Sequence, residues 1–453
     1  MASTSTRRLA SLAVLLASCA FAKAPADTAA PRESPWPALL ASARGIPPTI
    51  CALAIDGVRT GGWGGGPSAP APQGADIRGQ VRALRQSTVT TEDARGLIAG
   101  LGADDACERQ LAATLIGRAE DKSLAQQVGA RLGATSPAER AAALVALGSM
   151  EAREQADAVV RVLKDDSAEV RANAAWALGR IEEKRTAPAV QAVLGDAVPA
   201  VRRAAAGALG HLESRESVGA LVRALAGDAD DETRRVAAWA LGQIEDRSAA
   251  DGLAKALRSD RHPDVREMAA WAIAELEAPE AAGHLVDALL ADDAPRVRET
   301  CAWALGELET GATSPGLTRA LGDRDPRVRS TAAWALGQLE GDRAPAPLVR
   351  ALADGERDVR LTAAWALSQI GDASTTSAVA EALRREADDQ VRQALVRALV
   401  ESGQASAETM KELLDSKDPE TRQRAVQALA GRRSPWPWPW PQPRPRPFPG
   451  DSD

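Results

Sequence analysis

The sequence of 453 residues has no tyrosine, two phenylalanines, three histidines and four cysteines. So few histidines and cysteines leave little material for a metal centre, and neither an HExxH motif nor a paired-cysteine motif occurs. The histidines His211, His262 and His284 form no His-Glu dyad, and no phosphate-binding glycine loop stands at a strand–helix junction. We therefore expect no catalytic residue, no metal and no cofactor, and we predict that the protein is not an enzyme.

The sequence also lacks an excess of positive charge. It has 55 basic and 62 acidic residues, which give a net charge of −7, and the two signs are interspersed. Because nucleic-acid-binding proteins present a basic patch or stripe, we expect no nucleic-acid partner. The apolar run Leu9–Ala17 is too short to span a bilayer.

Tryptophan is present eleven times, and six of these residues recur at a fixed position of an internal repeat. An arginine stands five residues before each of them and recurs in eleven rows with steps of 30 to 32 residues; the rows without the tryptophan keep the arginine. A period of this length predicts a solenoid of stacked helix pairs. The tryptophans are Trp176, Trp239, Trp271, Trp303, Trp334 and Trp365, and the arginines are Arg109, Arg140, Arg171, Arg202, Arg234, Arg266, Arg298, Arg329, Arg360, Arg392 and Arg422.

The row from Asp323 to Glu340, DRDPRVRSTAAWALGQLE, predicts one helix with its own start signal. Asp325 suits the N-cap and Pro326 the first helical position. On a helical wheel the small and aliphatic residues of the row form one apolar face. Trp334 lies roughly 140° from the centre of that face, so each such helix has a core side and, away from it, a large aromatic residue.

Rows such as VRSTAAWALGQLE and VRRVAAWALGQIE resemble HEAT-like repeats of the phycobilisome-lyase type, over about residues 105 to 431. The resemblance implies an all-α, right-handed α–α superhelix (an armadillo/HEAT-like solenoid) with about eleven helix-pair repeats of 30 to 32 residues. It also implies a structural ladder of aspartates and arginines that links successive repeats. Its members are Asp165, Arg171, Asp196, Arg202, Asp228, Arg234, Asp260, Arg266, Asp292, Arg298, Asp323, Arg329, Asp354 and Arg360.

One position departs from the family pattern, which usually has glycine after the Ile or Leu that follows ALG. Six rows have glutamate there: Glu182, Glu213, Glu245, Glu277, Glu309 and Glu340. We expect this change to alter the surface charge near a helix end and to leave the fold intact.

The first 22 residues have the parts of an export signal: a charged start with Arg7 and Arg8, the apolar run, and a small-residue cleavage site at 20–22. A competing interpretation is that LASC, residues 16–19, resembles a bacterial lipobox, in which Cys19 would be lipidated. Both interpretations predict export to the bacterial periplasm or envelope.

The rest of the chain divides into three parts. Residues 23–76 are predicted to be a Pro/Gly-rich tether with a short helix, 77–431 the solenoid with an irregular N-terminal cap, and 432–453 a Trp/Pro-rich disordered tail. Cys51 and Cys107 both lie near the start of an exported chain, so a disulfide between them is plausible. Cys301 stands where other rows have alanine and is expected to be a buried small residue.

The column of six tryptophans is the main functional signal. In the repeat class that the sequence resembles, this surface is the concave side. We predict a binding stripe of these tryptophans with Gln243, Glu275, Glu307, Gln338 and Gln369, for a protein or extended peptide. The alternative is that each indole only packs against the neighbouring repeat.

Other functions stay open at the level of sequence. The stripe is compatible with carbohydrate or cell-wall binding, and exported HEAT-like arrays also resemble accessory domains of envelope sensors. A lyase-like activity is suggested by the name of the repeat class alone. Contact with a membrane surface would use a lipidated Cys19 or the Trp/Pro tail. The sequence predicts no oligomeric state.

Overall fold

The computed structural model describes residues 40, 44, 91–118, 122–309, 311–339, 341–401, 407–416 and 419–429. All regular secondary structure in these ranges is helical. The predicted signal peptide, Cys19, Cys51, the Trp/Pro tail and, apart from Leu40 and Arg44, the tether lie outside them. The α-helices are α1 Thr91–Ile98, α2 Ala106–Gly117, α3 Ala125–Ala130, α4 Pro137–Ser149, α5 Ala156–Arg161, α6 Ala168–Ile181, α7 Ala187–Ala192, α8 Pro199–His211, α9 Val218–Gly227, α10 Asp231–Ile244, α11 Ala250–Ser259, α12 Pro263–Glu275, α13 Ala282–Ala291, α14 Pro295–Glu307, α15 Ser314–Ala320, α16 Pro326–Gln338, α17 Ala346–Arg350, α18 Arg357–Ile370, α19 Thr376–Arg385, α20 Asp389–Glu401, α21 Ala407–Leu414 and α22 Pro419–Leu429.

From α2 onward, long and short helices alternate. The even-numbered helices, called the long helices here, carry the repeated arginine, and the odd-numbered ones are the short helices. Each long helix between α2 and α22 packs against the long helices before and after it and against short helices of the array, and α2 and α22 have one long-helix neighbour each. This arrangement is an α-solenoid, which confirms the all-α prediction.

The start of α16 shows how the sequence sets the helix boundaries. Asp325 is the N-cap, its carboxylate accepts a hydrogen bond from the Arg327 N–H, and Pro326 is the first helical residue. Pro199, Pro263 and Pro295 begin α8, α12 and α14 in the same way. Proline suits this position because its missing N–H would have no partner inside the helix.

Glutamates follow the C-terminal ends of several long helices in a left-handed backbone conformation, with φ between 48° and 55°. They are Glu151, Glu182, Glu213, Glu245, Glu277 and Glu309. Five of these stand at positions that the sequence identified, Glu151 was not anticipated, and Glu340 lies outside the described residues. Gly371 has the same conformation with φ 66°. Glycine adopts this conformation without steric cost, whereas a residue with a side chain is strained there.

The core runs the length of the array as one cluster of small and aliphatic side chains. In α14, Ala302, Ala304 and Leu305 have no exposed surface, and Leu317 of the following short helix is equally buried. Cys301 has a free thiol and is also fully buried, as its place in an alanine column predicts. Because alanines fill most of these positions, successive long helices approach one another closely.

The N-terminal end of the array is covered by residues that precede the repeats. Leu40 is buried against it, and the guanidinium of Arg44 binds the carboxylate of Glu108 through two hydrogen bonds of 2.7 and 3.1 Å. Cys107 is disulfide-bonded. Its predicted partner Cys51 lies outside the described ranges, so that pairing stays a prediction. Within those ranges, no helix combines the length and the apolar character that crossing a membrane requires.

Candidate binding face

Eight ion pairs connect consecutive repeats along one edge of the solenoid. In each, the arginine Nε and Nη2 atoms bind both oxygens of a carboxylate in the next repeat, at 2.6–2.8 Å and 2.6–3.1 Å. The pairs are Arg140–Asp165, Arg171–Asp196, Arg202–Asp228, Arg234–Asp260, Arg266–Asp292, Arg298–Asp323, Arg329–Asp354 and Arg360–Glu386. The acceptor of the last pair, Glu386, was not identified from the sequence because the column was defined by aspartate.

The same arginines also hold the loop of their own repeat. The Nη1 atom of Arg298 donates to the carbonyl oxygens of Asp292 and Asp293 at 2.8 and 3.2 Å. The carboxylate of Asp323 accepts a further hydrogen bond from the Asp325 N–H. Each of the eight paired arginines therefore ties two loops together. Arg109, Arg392 and Arg422 also donate to backbone carbonyls before their own helix, which explains why arginine occurs in every row.

Ionisation of the carboxylates is favoured by this geometry. The hydrogen bonds from Arg329 hold the pKa of Asp354 below its ordinary value, although burial opposes the shift. A paired, hydrogen-bonded carboxylate is the form in which a buried charge is tolerated. The ladder is thus a structural element, and its charges are not available to a ligand.

The six repeated tryptophans contribute little surface to solvent. Trp239, Trp303, Trp334 and Trp365 are 5–8 % exposed, whereas Trp176 and Trp271 are half-buried. A ligand that stacks on an indole needs an open ring face, and four of the six rings do not offer one. These values favour the packing alternative and leave the polar members of the predicted stripe as its accessible part.

A glycine of the preceding repeat makes room for each of five indoles. A Cβ atom placed on Gly306 would lie 2.5 Å from Cζ3 of Trp334 and 3.0 Å from the Ala335 Cα atom. The other pairs are Gly148–Trp176, Gly210–Trp239, Gly242–Trp271 and Gly337–Trp365. This contact was missed from the sequence, but a signal was present, because glycine recurs at one position in the last turn of these helices and indicates a close approach of another chain segment.

His211 covers the edge of one indole. Its ring centroid lies 5.2 Å from that of Trp239, with 62° between the planes, which is an edge-to-face contact. Burial, with the nearby charge of Arg180, lowers the pKa of His211 to about 4. The ring is therefore neutral at pH 7, and this histidine serves packing rather than acid–base chemistry.

Two columns of polar residues flank the tryptophans on the long helices. They stand one and nine residues after each ladder arginine, and we call them the polar columns. In the column nine residues after the arginine, Gln243, Glu307 and Gln369 are exposed and Glu275 and Gln338 are half-buried. The predicted stripe residues other than tryptophan are therefore open to solvent at least in part.

The charge of the polar columns changes in blocks along the solenoid. The repeats of Arg171, Arg202 and Arg234 contribute three basic residues, the repeats of Arg266 and Arg298 contribute four glutamates, and the next two repeats contribute uncharged residues. In chain order the three blocks are Arg180, Arg203 and Arg235; Glu267, Glu275, Glu299 and Glu307; and Ser330, Gln338, Leu361 and Gln369. In the first block Arg235 is buried beside Glu232, and Ala172, His211 and Gln243 fill the remaining positions, so its partly accessible charges are Arg180 and Arg203. The second block is acidic and the third uncharged.

The acidic block contains a pair of partly buried glutamates on α12 and α14. Burial, reinforced by the charge of Glu299, raises the pKa of Glu267 to about 7. Burial also raises the pKa of Glu299. Arg296 lies 3.3 Å from Glu267 and Arg327 lies 3.8 Å from Glu299, so each glutamate has a basic neighbour at the start of the next long helix.

No set of three or more potential metal ligands occurs among the residues whose positions the structure describes. His262 approaches Asp231 and Asp264 at 3.5 and 3.7 Å, at the surface of the loop before α12.

Similarity to known proteins agrees with this architecture. The chain matches HEAT repeats over residues 156–239, 218–306, 284–368, 314–400 and 376–436. A search of curated proteins found no match. The chain is similar to a structure of Kap95p with RanGDP, with a TM-score of 0.54, 16 % identity and coverage of 79 % of this chain and 58 % of the other.

A second solved structure, yeast importin-beta (Kap95p), is similar with a TM-score of 0.50, 15 % identity and coverage of 75 % of this chain and 57 % of the other. This chain thus spans less than two thirds of the length of either structure. At these identities the similarity shows a shared fold. Since the HEAT matches together cover residues 156–436, more than half of the sequence, the chain belongs to the HEAT-repeat family.

Proposed function

We propose that this protein is a non-enzymatic scaffold whose solenoid binds another protein, or an extended peptide, across the polar columns of its long helices. In the repeat class that the sequence resembles, this surface is concave. Solenoids commonly use extended surfaces of this kind for partners. Kap95p, which shares the fold, binds the protein RanGDP.

The observation that carries the proposal is the order of charges in the polar columns. Buried positions are nearly the same in every repeat, as the alanine and leucine columns show. The polar columns instead present two partly accessible arginines, Arg180 and Arg203, then an acidic block, and then an uncharged one. Blocks of opposite sign select a partner with complementary charges and fix its direction along the face. The partner would place basic residues on the repeats of Arg266 and Arg298.

Capture of partners from an envelope extract, run beside a glycan array, tests the proposal. The variant Glu275→Lys/Glu307→Lys reverses charge in the acidic block. We expect it to lose the captured protein at least 10-fold per folded molecule, because both side chains are at least partly exposed. Capture that does not change in this variant would contradict the proposed face.

A matched control is available on the short helices. Asp251 of α11 and Asp287 of α13 are exposed acidic residues outside the long helices. The variant Asp251→Lys/Asp287→Lys makes the same change of net charge at two positions that are about as far apart in the sequence as Glu275 and Glu307. It should leave capture unchanged, so an equal loss in both variants would indicate a nonspecific electrostatic effect.

No observation favours carbohydrate binding over protein binding, because the indoles that would stack on sugar rings are mostly buried. Glycan-array binding without protein capture would reverse this preference. Assignment to the phycobilisome-lyase type of HEAT repeat and a role beside an envelope sensor remain parts of the proposal that the comparisons do not address.

We also infer export to the bacterial periplasm or envelope from residues 1–22. A fusion of residues 1–30 to a reporter that is active only outside the cytoplasm should give signal. Cys19→Ala should abolish membrane association if Cys19 is lipidated and leave it unchanged if the signal is cleaved after Ala22. A reporter fusion that stays inactive would contradict export.

A further inference from the structure

The last repeat of the solenoid ends differently from the repeats before it. Among the residues that the structure describes, the exposed large apolar side chains are Val426 and Leu429, which are 56 % and 63 % exposed. Both belong to α22, the final long helix, and they are three residues apart on one side of it.

The repeat register identifies what these two positions do elsewhere. Val426 stands four and Leu429 seven residues after the repeated arginine Arg422. In the ten earlier long helices the residues at these positions are at most 3 % exposed. They are, at four residues, Ala113, Leu144, Ala175, Ala206, Ala238, Ala270, Ala302, Ala333, Ala364 and Val396, and at seven, Ile116, Leu147, Leu178, Leu209, Leu241, Ile273, Leu305, Leu336, Leu367 and Leu399.

These positions lie on the side of a long helix that receives the next repeat. Gly306 is one turn beyond Ala302 on the same side of α14, and a Cβ atom on it would approach the Ala335 Cα atom of α16 to 3.0 Å. Val426 and Leu429 are therefore the surface on which a further repeat would pack, and within the described chain none follows α22.

An open repeat surface of this kind needs a cover. Terminal repeats of solenoids normally have a polar outer face because an apolar end would associate with other molecules. The N-terminal end satisfies this rule, since Leu40 and residues 91–102 cover it. The C-terminal end presents Val and Leu instead.

The segment that follows offers an apolar cover of sufficient length. Residues 434–441, SPWPWPWP, begin five residues after Leu429 and carry three tryptophans. Alternating proline disfavours an α-helix and favours the extended polyproline II conformation, with roughly 3.1 Å per residue and about 25 Å in all. That length crosses two helices packed roughly 10 Å apart.

We propose that Trp436, Trp438 and Trp440 fold back onto Val426 and Leu429 and close the C-terminal end of the solenoid. The occupant is thus the chain's own tail. This end is separate from the polar columns, so the inference does not depend on the proposed binding function.

Amide hydrogen exchange of α22 in the full-length protein tests this cap. The variant Trp436→Ser/Trp438→Ser/Trp440→Ser keeps the length of the tail and removes its aromatic rings. We expect exchange in α22 to become at least 10-fold faster, while exchange in α12–α16 stays the same. The matched control Arg444→Ser/Arg446→Ser changes the same tail outside the aromatic segment and should leave α22 unaffected. Equal exchange of α22 in the wild type and the tryptophan variant would overturn the proposal.

Light scattering distinguishes the tail from a second copy of the chain as the cover. If the tail covers the end, the wild-type protein does not associate through α22, and the tryptophan variant gains a concentration-dependent dimer that Leu429→Ser reverses. A wild-type dimer that Leu429→Ser dissociates would show that a second copy occupies this surface and would overturn the proposal. Partner capture on the polar columns should be the same in the wild type and the tryptophan variant, so a loss of capture with unchanged exchange would also overturn it.

Discussion

Removal of one arginine from the ladder should weaken a single interface of the solenoid. Arg298 is well suited to this test because its side chain is 4 % exposed and that of Asp323 is 12 % exposed. Arg298→Ala deletes two hydrogen bonds to the carboxylate and two to loop carbonyls. Asp323 then keeps one hydrogen bond, from the Asp325 N–H at 2.8 Å.

The expected loss follows from these contacts. Breaking a buried ion pair typically costs about 3–5 kcal/mol, because the remaining charge is left without its partner. Asp323 retains one donor and some access to water, so we expect the lower end, about 3 kcal/mol. Arg109→Ala is the internal control, since Arg109 donates to the carbonyls of Ala103 and Asp104 and the ladder position of the next repeat holds Ala134. It should lose about 1 kcal/mol.

Native-state hydrogen exchange is the appropriate assay, because a long repeat array need not unfold in one step. The free energy of opening should fall most in α14 and α16, the long helices that the pair connects. A double-mutant cycle of Arg298→Ala and Asp323→Ala should give a coupling energy of about 2 kcal/mol. A coupling below about 0.5 kcal/mol, or an equal loss in Arg109→Ala, would refute the structural role of the carboxylate link.

Three further changes test other features of the array. Gly306→Ala should destabilise by about 2 kcal/mol or more in chemical denaturation, because its methyl group meets Trp334 and backbone. Ala274→Gly, at the same repeat position before Trp303, should cost about 1 kcal/mol, the helix cost of glycine, and equal effects would contradict the close packing. Glu245→Gly should raise stability by about 1 kcal/mol, since glycine adopts the left-handed conformation without strain, and a loss of stability would show that the glutamate makes a compensating contact. Glu267→Gln should leave stability nearly unchanged at pH 5 and raise it by about 2 kcal/mol at pH 8. The folded-state pKa of about 7 exceeds the ordinary 4.5, so the wild-type protein loses stability as pH rises from 4.5 through 7, whereas the glutamine variant does not. A stability difference that is the same at both pH values would contradict the burial of this carboxyl group.

The helical solenoid could be predicted from the sequence because its signals are local and recur. Asp325 and Pro326 mark a helix start without any knowledge of the fold, and the spacing of the arginines gives the length of the repeat. Repetition turns weak signals into a strong one, since each row presents the same pattern again. The residues of the ladder could be identified from the sequence for the same reason. Glu386 is the exception, because a glutamate stands there in place of the usual aspartate.

The surroundings of the tryptophans could not be read from one helix. A helical wheel places Trp334 away from its own helix's core, but the neighbouring repeat decides whether that side meets water. Gly306 provides the space into which the ring fits, and this contact joins residues of two repeats. The raised pKa of Glu267 has a similar origin, because burial causes it and Glu299, on another long helix, reinforces it. Sequence periodicity gives the direction of a side chain but not its neighbours across a repeat interface.

In the proposed function the polar columns bind a partner, whereas the indoles hold the repeats together. The most direct measurement is the Kd for a captured partner, taken with the thermal midpoint, for two variants. Glu275→Lys/Glu307→Lys should raise Kd at least 10-fold per folded molecule, and Trp303→Ala/Trp334→Ala should lower the midpoint with an unchanged Kd per folded molecule. A raised Kd with an unchanged midpoint in the tryptophan variant, together with unaltered binding by the lysine variant, would contradict the account.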